Sequence, residues 1–560
     1  MRRFLVALAA AALVGSLGAP GVAAGPTSAK AAKAHGGPAS EPKQFPFGVG
    51  ANDVTSTSVL LWTETTASKV TLTWSTSKTF SKGDHSRGVK VPAAHDGTVL
   101  VEVSKLKPNT SYYYKFTGGG GTSRVGHFRT APSASSDASL TFTFSGDQDG
   151  TPKPGDPSVT CSGEKDFQSF ATALKNPGAF YVNLGDTIYA DSSCLKKPDT
   201  TLAQYRQSYR KNLSFPSLRN LRAALPFYTQ WDDHEVRDNF DAQTLSPKLL
   251  AKGRQAFEEY DGMAAPSKKL GFYRTFRWGS QVQIFILDER SFRTIEADKM
   301  DTNGDGTPDC TNPATGHIDL VPTLSQDVRD SFASQFAGSG LDQPVPALCT
   351  ADLNATGRTM LGKAQRARFE RDLKASTATW KIVFTEDPIQ QFYALPYDRW
   401  EGYRWERQQV IDFVDTNNVD NVVWLATDIH AFLAHTVDDN TATPGSPSDP
   451  PNCSGVQGMC EYTVGPVATD TFAAEINGFL GQPGCTSGCP DGLVRSFLVF
   501  VNKNLCAGIN PYGFGRVVID SKKHTLSVFP IGEDGTPVAG NGKPGVGFYS
   551  DCYDLHLRAA

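Results

Sequence analysis

The chain has 560 residues, 39% of them hydrophobic and 20% charged, with a formal net charge of −4 at pH 7. That balance describes a soluble globular protein with enough apolar surface for two or three domains. With no long basic run, it offers no footprint for a nucleic-acid partner.

Residues 1–24 read as a signal peptide. Arg2 and Arg3 precede the apolar run Phe4 to Val14, and Val22-Ala23-Ala24 offers small residues for cleavage. The run stops at Gly15, well short of the roughly 20 apolar residues a spanning helix needs, and no later stretch resembles a transmembrane segment. The product is expected to be secreted or extracellular, or held in a periplasmic or cell-wall space, exported by the Sec or the twin-arginine route. Residues 25–44 are mostly Ala, Gly, Pro, Ser and Lys and read as a flexible linker. Ten cysteines (161, 194, 310, 349, 453, 460, 485, 489, 506 and 552) all follow the signal, and an even number in an exported chain argues for disulfides. Cys485 and Cys489 have no second close Cys or His pair to complete a zinc site. Proximity along the chain suggests Cys161–Cys194, Cys310–Cys349 and Cys453–Cys460.

Residues 45–132 alternate short β-branched and aromatic runs with turns, as in Ser58 to Trp62, Lys69 to Trp74 and Ser111 to Phe116. This predicts a small N-terminal β-sandwich, and Leu106 to Tyr112 resembles the loop before a late strand of fibronectin type III domains. Residues 137–560 change to strand, loop and helix. Leu140 to Phe144, Ala179 to Leu184, Val282 to Leu287, Lys381 to Thr385 and Val422 to Ala426 are apolar runs of strand length. Leu202 to Ala224, broken at Pro216, and Lys363 to Lys374 have helical spacing. The class is α/β, with loop-rich insertions at about 295–357 and 436–494.

Acidic residues follow the strand-like runs directly: Asp147 and Asp149 after the first, Asp186 after the second, Asp232 and Asp233 after Pro226 to Trp231, Asp428 and His430 after the last. Any one such Asp is commonly a turn residue capping a backbone amide, and a lone His430 is more often a core histidine than a ligand. Four clusters at the carboxyl ends of strands would converge in one crevice. There their mutual repulsion calls for cations, and oxygen and imidazole donors suit hard or borderline metals.

Gly185-Asp186-x-x-Tyr189, Asp233-His234-Glu235 and Asp428-x-His430, in that order, resemble the dinuclear metallophosphoesterase superfamily. Further echoes place the chain closest to the PhoD-like alkaline phosphatases and phosphodiesterases: Phe47 to Val54, Leu61-Trp62-Thr63, Trp231 to Glu235, Leu287 to Arg293, Met360-Leu361-Gly362 with Gln365, and Trp405-Glu406-Arg407. The resemblance covers most of residues 45–435. It implies a metallophosphoesterase four-layer α/β sandwich, two β-sheets flanked by helices, behind the small fibronectin-III-like domain. It further implies that Asp147, Asp186, Tyr189 and His430 hold ferric iron. Asp186 would bridge to a second site completed by Asp233 and Asp428, where Ca²⁺ is expected and Mn²⁺ or Zn²⁺ is an alternative. Where this chain has Asp147, PhoD-like enzymes often carry Cys, and Asp147 with the Gly-Asp-x-x-Tyr spacing is similar to purple acid phosphatases. Glu386 or Asp387 would supply a ligand after the Lys381 to Thr385 strand, and Asp149 is either capping or a ligand.

The implied reaction is hydrolysis of phosphate mono- or diesters by a metal-bound hydroxide, with His234 as general acid beside Asp233. The bland reading of His234 is a hydrogen bond to Glu235 or to backbone. Arg290 or Arg293 would grip a phosphate oxygen, or else form surface salt bridges. Asp301, Asn303, Asp305 and Asp309, with Gly306 at the turn, match the spacing of a structural calcium loop. Asn312 stands where an EF-hand has its bidentate Glu, so the loop is closer to the dockerin or thrombospondin type; a metal-free Asp/Gly turn is the alternative. The partner is a phosphate-ester substrate and the protein is taken as a monomer. Two rival readings are a phospholipase D-type phosphodiesterase that releases head groups and a non-catalytic, calcium-stabilised adhesion module.

Overall fold

The computed structural model describes residues 41–81, 83–333, 340–437, 439–440, 459–475, 506–538 and 556–559. The expected signal peptide, the linker as far as residue 40, Cys453 and most of the 436–494 insertion lie outside the described residues.

Two large sheets lie face to face. The first runs in the order His556–Arg558, Thr525–Gly532, Gly513–Asp520, Leu140–Ser145, Tyr181–Leu184, Pro226–Gln230, Val49–Asn52, Val59–Glu64, Thr98–Val103. The second runs Arg274–Trp278, Val282–Ile286, Trp380–Phe384, Val422–Ala426, Cys460–Thr463, Phe432–Thr436, Cys506–Gly508. At both centres the strands are parallel. Such strands are covered on both faces, so their sequences are continuous apolar runs; every residue of Tyr181–Leu184 and of Val422–Ala426 is buried.

Between the sheets Phe142 and Phe144 set their rings edge-on to Phe384, with centroids 6.0 and 6.1 Å away. Phe180 tilts against Trp278 at 4.8 Å. Full burial of each such ring stabilises by roughly 1.5–3 kcal/mol. Helices cover the outer faces. Phe170, Tyr205, Leu218 and Phe257 form an apolar layer over the first sheet, and Phe369, Leu373, Val410 and Val414 over the second. This is the four-layer α/β sandwich expected from the sequence. The helical stretch 202–224 does break at Pro216, into Leu202–Leu213 and Pro216–Ala224. Pro216 opens the second helix, where its missing N–H costs no intrahelical bond.

The N-terminal strands make two sheets. Lys69–Ser75, His85–Lys90, Ser111–Gly118, Gly121–Thr122 and Gly126–Arg129 form one. The other, Val49–Asn52, Val59–Glu64 and Thr98–Val103, does not stop at its own border. Val49–Asn52 pairs in parallel with Pro226–Gln230, Ala51 opposite Pro226 and Asn52 opposite Phe227. All four residues of Val49–Asn52 are buried, so their backbone polar groups need partners on both sides, and the neighbouring sheet supplies them.

Disulfides join Cys161 to Cys194 and Cys310 to Cys349, the two pairs that chain proximity suggested. Cys460 is also disulfide-bonded. Among the described residues no helix is long and apolar enough to cross a membrane.

Candidate metal centre

The central strands of the first sheet end together, because Asn183 pairs with Ser145 and Leu184 with Gln230. Gly146-Asp147, Gly185-Asp186 and Trp231-Asp232-Asp233 therefore emerge side by side. On the second sheet Phe384 pairs with Leu425, which sets Glu386 and Asp387 beside Asp428. Thr427 Oγ1 donates to Leu184 O across the gap at 2.7 Å, tying the two sheets at this end. Asp147, Asp186, Asp428 and His430 all have left-handed backbones, with φ of 60°, 51°, 62° and 54°. Asp and His tolerate that region better than most residues, but it carries a cost that concentrates at functional loops.

Asp147, Asp186 and His430 each bring a ligand atom within 4.8 Å of the others, and so do Asp186, Asp233 and His234. Asp186 belongs to both groups. Tyr189 Oη stands 3.3 Å from His430 Nε2, and His430 Nδ1 is 2.6 Å from Glu475. The carboxylates are almost fully enclosed: Asp147 is 1% exposed, Asp186 2% and Asp233 3%. Burial raises the Asp147 carboxyl to about 6 even with His430 opposing, and pushes Asp186 well above the usual range. Asp147 Oδ2 has no hydrogen-bond donor. Enclosed carboxyl oxygens without donors are costly, and a donor set of carboxylate, imidazole and phenol suits hard or borderline cations. The residues present fit a pair of metal ions.

A third group consists of Asp387, Asp398 and Asp428. Among the described residues no such group joins Asp428 to Asp186 and Asp233, the arrangement expected from the sequence. Of the two candidates after the Trp380–Phe384 strand, Asp387 enters this group. Glu386 stays outside it, buried beside Glu289.

The model of the PhoD-like phosphatase family matches residues 158–496, and that of the PhoD-like phosphatase N-terminal domain matches residues 29–132. The chain belongs to the PhoD-like phosphatase family. Alkaline phosphatase D of Bacillus subtilis (strain 168) is 25% identical over 446 residues, 70% of this chain and 65% of that protein, so the match spans slightly less than two thirds of the relative's length. A solved structure of PhoD is similar with a TM-score of 0.64 at 21% identity, covering 92% of this chain and 95% of that one. A purple acid phosphatase from yellow lupin (Lupinus luteus) seeds covers 92% of this chain and 75% of its own at 11% identity, with a TM-score of 0.49. Asp147 falls between the two stretches matched to the family models.

His234 in this PhoD-like chain does not bond Glu235. Its Nδ1 is 2.6 Å from Asp191 Oδ1, and its ring stacks on Tyr189 with centroids 4.2 Å apart. Burial disfavours the charged imidazole, but Asp233, Asp186 and Asp191 outweigh it and hold His234 well above its ordinary value. Glu235 serves as a brace. Its carboxylate accepts Thr187 N at 2.6 Å, Thr187 Oγ1 at 2.7 Å and Asp232 N at 2.9 Å, drawing two of the acidic loops together.

Arg290 and Arg293 correct the expectation of a phosphate grip or a surface pair. Both are completely buried. Arg290 forks onto Asp398 at 3.0 and 3.1 Å and reaches Asp232 at 2.5 Å, while Arg293 binds Asp398 and Tyr403. With every carboxylate neighbour engaged, neither guanidinium is exposed. Asp398, which the sequence reading did not single out, lies in an irregular loop with no strand before it to mark it. Against its burial the two arginines hold it well below the carboxylate range.

In the 301–309 loop both Asp301 oxygens and one Asp309 oxygen accept from the loop's own amides, while Asp309 Oδ1 has no donor among them. Asp301 accepts from Gly304 at 2.8 Å, Asp305 at 3.1 Å and Gly306 at 2.9 Å, and Asp309 accepts from Thr302 at 2.7 Å. Asn312 turns away to donate to Gly340 O at 2.9 Å. Asp149 likewise caps, accepting from Thr151 N at 2.8 Å and Ser192 Oγ at 2.6 Å.

A cavity of about 310 Å³ opens over Tyr189, His234 and His430. Among the described residues its wall also holds Asp149, Asp191, Asp238, Asp470 and Glu475, and no Lys or Arg.

Proposed function

We propose that this chain is an exported, metal-dependent phosphoesterase that hydrolyses phosphate monoesters, diesters or both. The observation that carries the reading is Asp186, one carboxylate common to two ligand groups whose histidines, His430 and His234, line the cavity. Asp147, Asp186, Tyr189 and His430 would hold one ion, ferric iron by the family resemblance. Asp186 and Asp233 would hold a harder second one, Ca²⁺ or Mn²⁺, with Asp428 turned toward Asp387 and Asp398. Two cations held there would activate water for in-line attack and neutralise charge on the phosphoryl oxygens.

His234 lines the cavity next to Asp233, and Asp191 holds its Nδ1. A proton on the other ring nitrogen is then free to pass to the leaving oxygen, the role of a general acid. Glu235 keeps the loops of Asp186 and Asp233 in register, so the donors need little rearrangement as an ester enters.

A second reading, release of head groups from phospholipids, is favoured by the cavity wall. Its lining, acidic and without Lys or Arg among the described residues, suits a leaving alcohol that carries a positive charge. Purified protein assayed on p-nitrophenyl phosphate, on bis-p-nitrophenyl phosphate and for choline release from phosphatidylcholine separates the readings. Elemental analysis alongside identifies the ions. An Asp233→Asn variant with undiminished turnover on every substrate would refute the metal-dependent mechanism. The 301–309 loop is proposed as a structural calcium site; added Ca²⁺ then raises Tm in the wild type but not in Asp301→Ala.

A further inference from the structure

Helix Leu202–Leu213 turns one face inward, with Tyr205, Tyr209, Asn212 and Leu213 buried at i, i+4, i+7 and i+8. Near its end the Asn212 amide, 3% exposed, reaches the loops beneath the candidate metal centre. Asn212 Nδ2 donates to Gln148 O at 2.8 Å and to Thr187 O at 2.7 Å. Those carbonyls belong to the residues immediately after Asp147 and Asp186. One NH₂ group thus spans the two loops, and its two hydrogens diverge at a fixed angle. Gln148 Nε2 adds a direct strut to Thr187 O at 3.0 Å. The approach is possible because residue 150 is glycine: a Cβ there would sit 2.0 Å from Asn212 Oδ1.

We infer that Asn212 is a positioning residue that sets the separation of the Asp147 and Asp186 loops and thereby the geometry of the metal pair. The inference rests on the dinuclear reading of the centre. Asn212 touches neither ligand atoms nor substrate and acts through the two backbone carbonyls. Such outer contacts change metal affinity by about 10–100-fold in other sites. A purely structural role makes a different prediction. Buried carbonyls need donors in any protein, so losing the amide would lower Tm and leave ion binding as it was.

The test uses the full chain, stripped with chelator and titrated with Mn²⁺, followed by the EPR signal of the free ion and of coupled ion pairs. Asn212→Ala is expected to weaken Mn²⁺ binding about tenfold or more and to alter the coupled-pair signal. The control is Tyr209→Phe, which removes a 3.4 Å contact from the same helix to Thr187 Oγ1 but leaves the bridge intact; its Mn²⁺ affinity and pair signal should match wild type. If Asn212→Ala does not fold, Gly150→Ala replaces it, because the added methyl displaces the amide without deleting it. Wild-type affinity and pair signal in Asn212→Ala, or an equal loss in Tyr209→Phe, overturns the inference. A wild type that binds no Mn²⁺ pair overturns the dinuclear reading itself, and the two failures are thus told apart.

Discussion

Asp191 Oδ1 and His234 Nδ1 stand 2.6 Å apart, with the imidazole ring stacked on Tyr189. The carboxylate fixes both the tautomer and the tilt of the ring that faces the cavity. Replacing Asp191 by Asn should therefore lower kcat by about tenfold to a hundredfold while metal content stays at the wild-type level. The loss should be greatest for alkyl esters, whose leaving alkoxide needs a proton, and smallest for p-nitrophenyl esters, whose phenolate does not. Equal losses on both substrates would contradict a proton-donating His234.

Asp186→Asn removes the carboxylate common to two ligand groups. Elemental analysis should find both ions depleted, and activity should fall below detection on every substrate. Burial, with Asp233, Asp232 and Glu235 adding repulsion, disfavours the Asp186 carboxylate more than His234 favours it, so the metal-free variant should melt above metal-free wild type. That opposition, less function with more intrinsic stability, is expected where charge is concentrated for binding.

Arg290→Met separates packing from substrate contact. Arg290 is fully buried and engages Asp232 and Asp398; removing one partner of a buried ion pair costs about 3–5 kcal/mol. Urea denaturation should show that loss, and KM of the surviving folded enzyme should stay near wild type. A large rise in KM with unchanged stability would restore the phosphate-gripping role.

Glu164 provides a pH test away from the metal centre. Burial raises its carboxyl from 4.5 to about 8, with Glu533 and Asp166 adding repulsion, and neither oxygen has a hydrogen-bond donor. The folded state therefore holds a proton that the unfolded chain releases near pH 4.5. The associated stability is complete below pH 4.5 and is lost as pH rises toward about 8. Glu164→Gln, neutral at every pH, should raise Tm at pH 9 relative to wild type and flatten the decline between pH 5 and pH 9. Parallel Tm curves for the two proteins would show that the group is ionised in the fold.

Much of the site could be read before any fold was known. Asp147, Asp186, Asp233 and His430 each follow an apolar run of strand length, and parallel strands buried on both faces keep that signature in the sequence. Asp398 carried no such mark, because an irregular loop has no periodicity and its place is set by Arg290 and Arg293 from distant segments. Those arginines resembled phosphate ligands because their residue type suits that task. Only packing revealed that Asp232, Asp387 and Asp398 already surround them. Asp191 carries no mark in the sequence either, since a carboxylate beyond a strand end is ordinary until a histidine meets it.

What the sequence determined alone was the alternation of buried strands with helices, the position of carboxylates at strand ends and the break at Pro216, all consequences of local periodicity and backbone sterics. Tertiary structure decided the rest: which carboxylates lie together, which cations are already neutralised, and that the N-terminal strands extend the first large sheet through Val49–Asn52 and Pro226–Gln230. Those outcomes depend on distances between residues far apart in the chain, and electrostatic energy depends on those distances rather than on residue type.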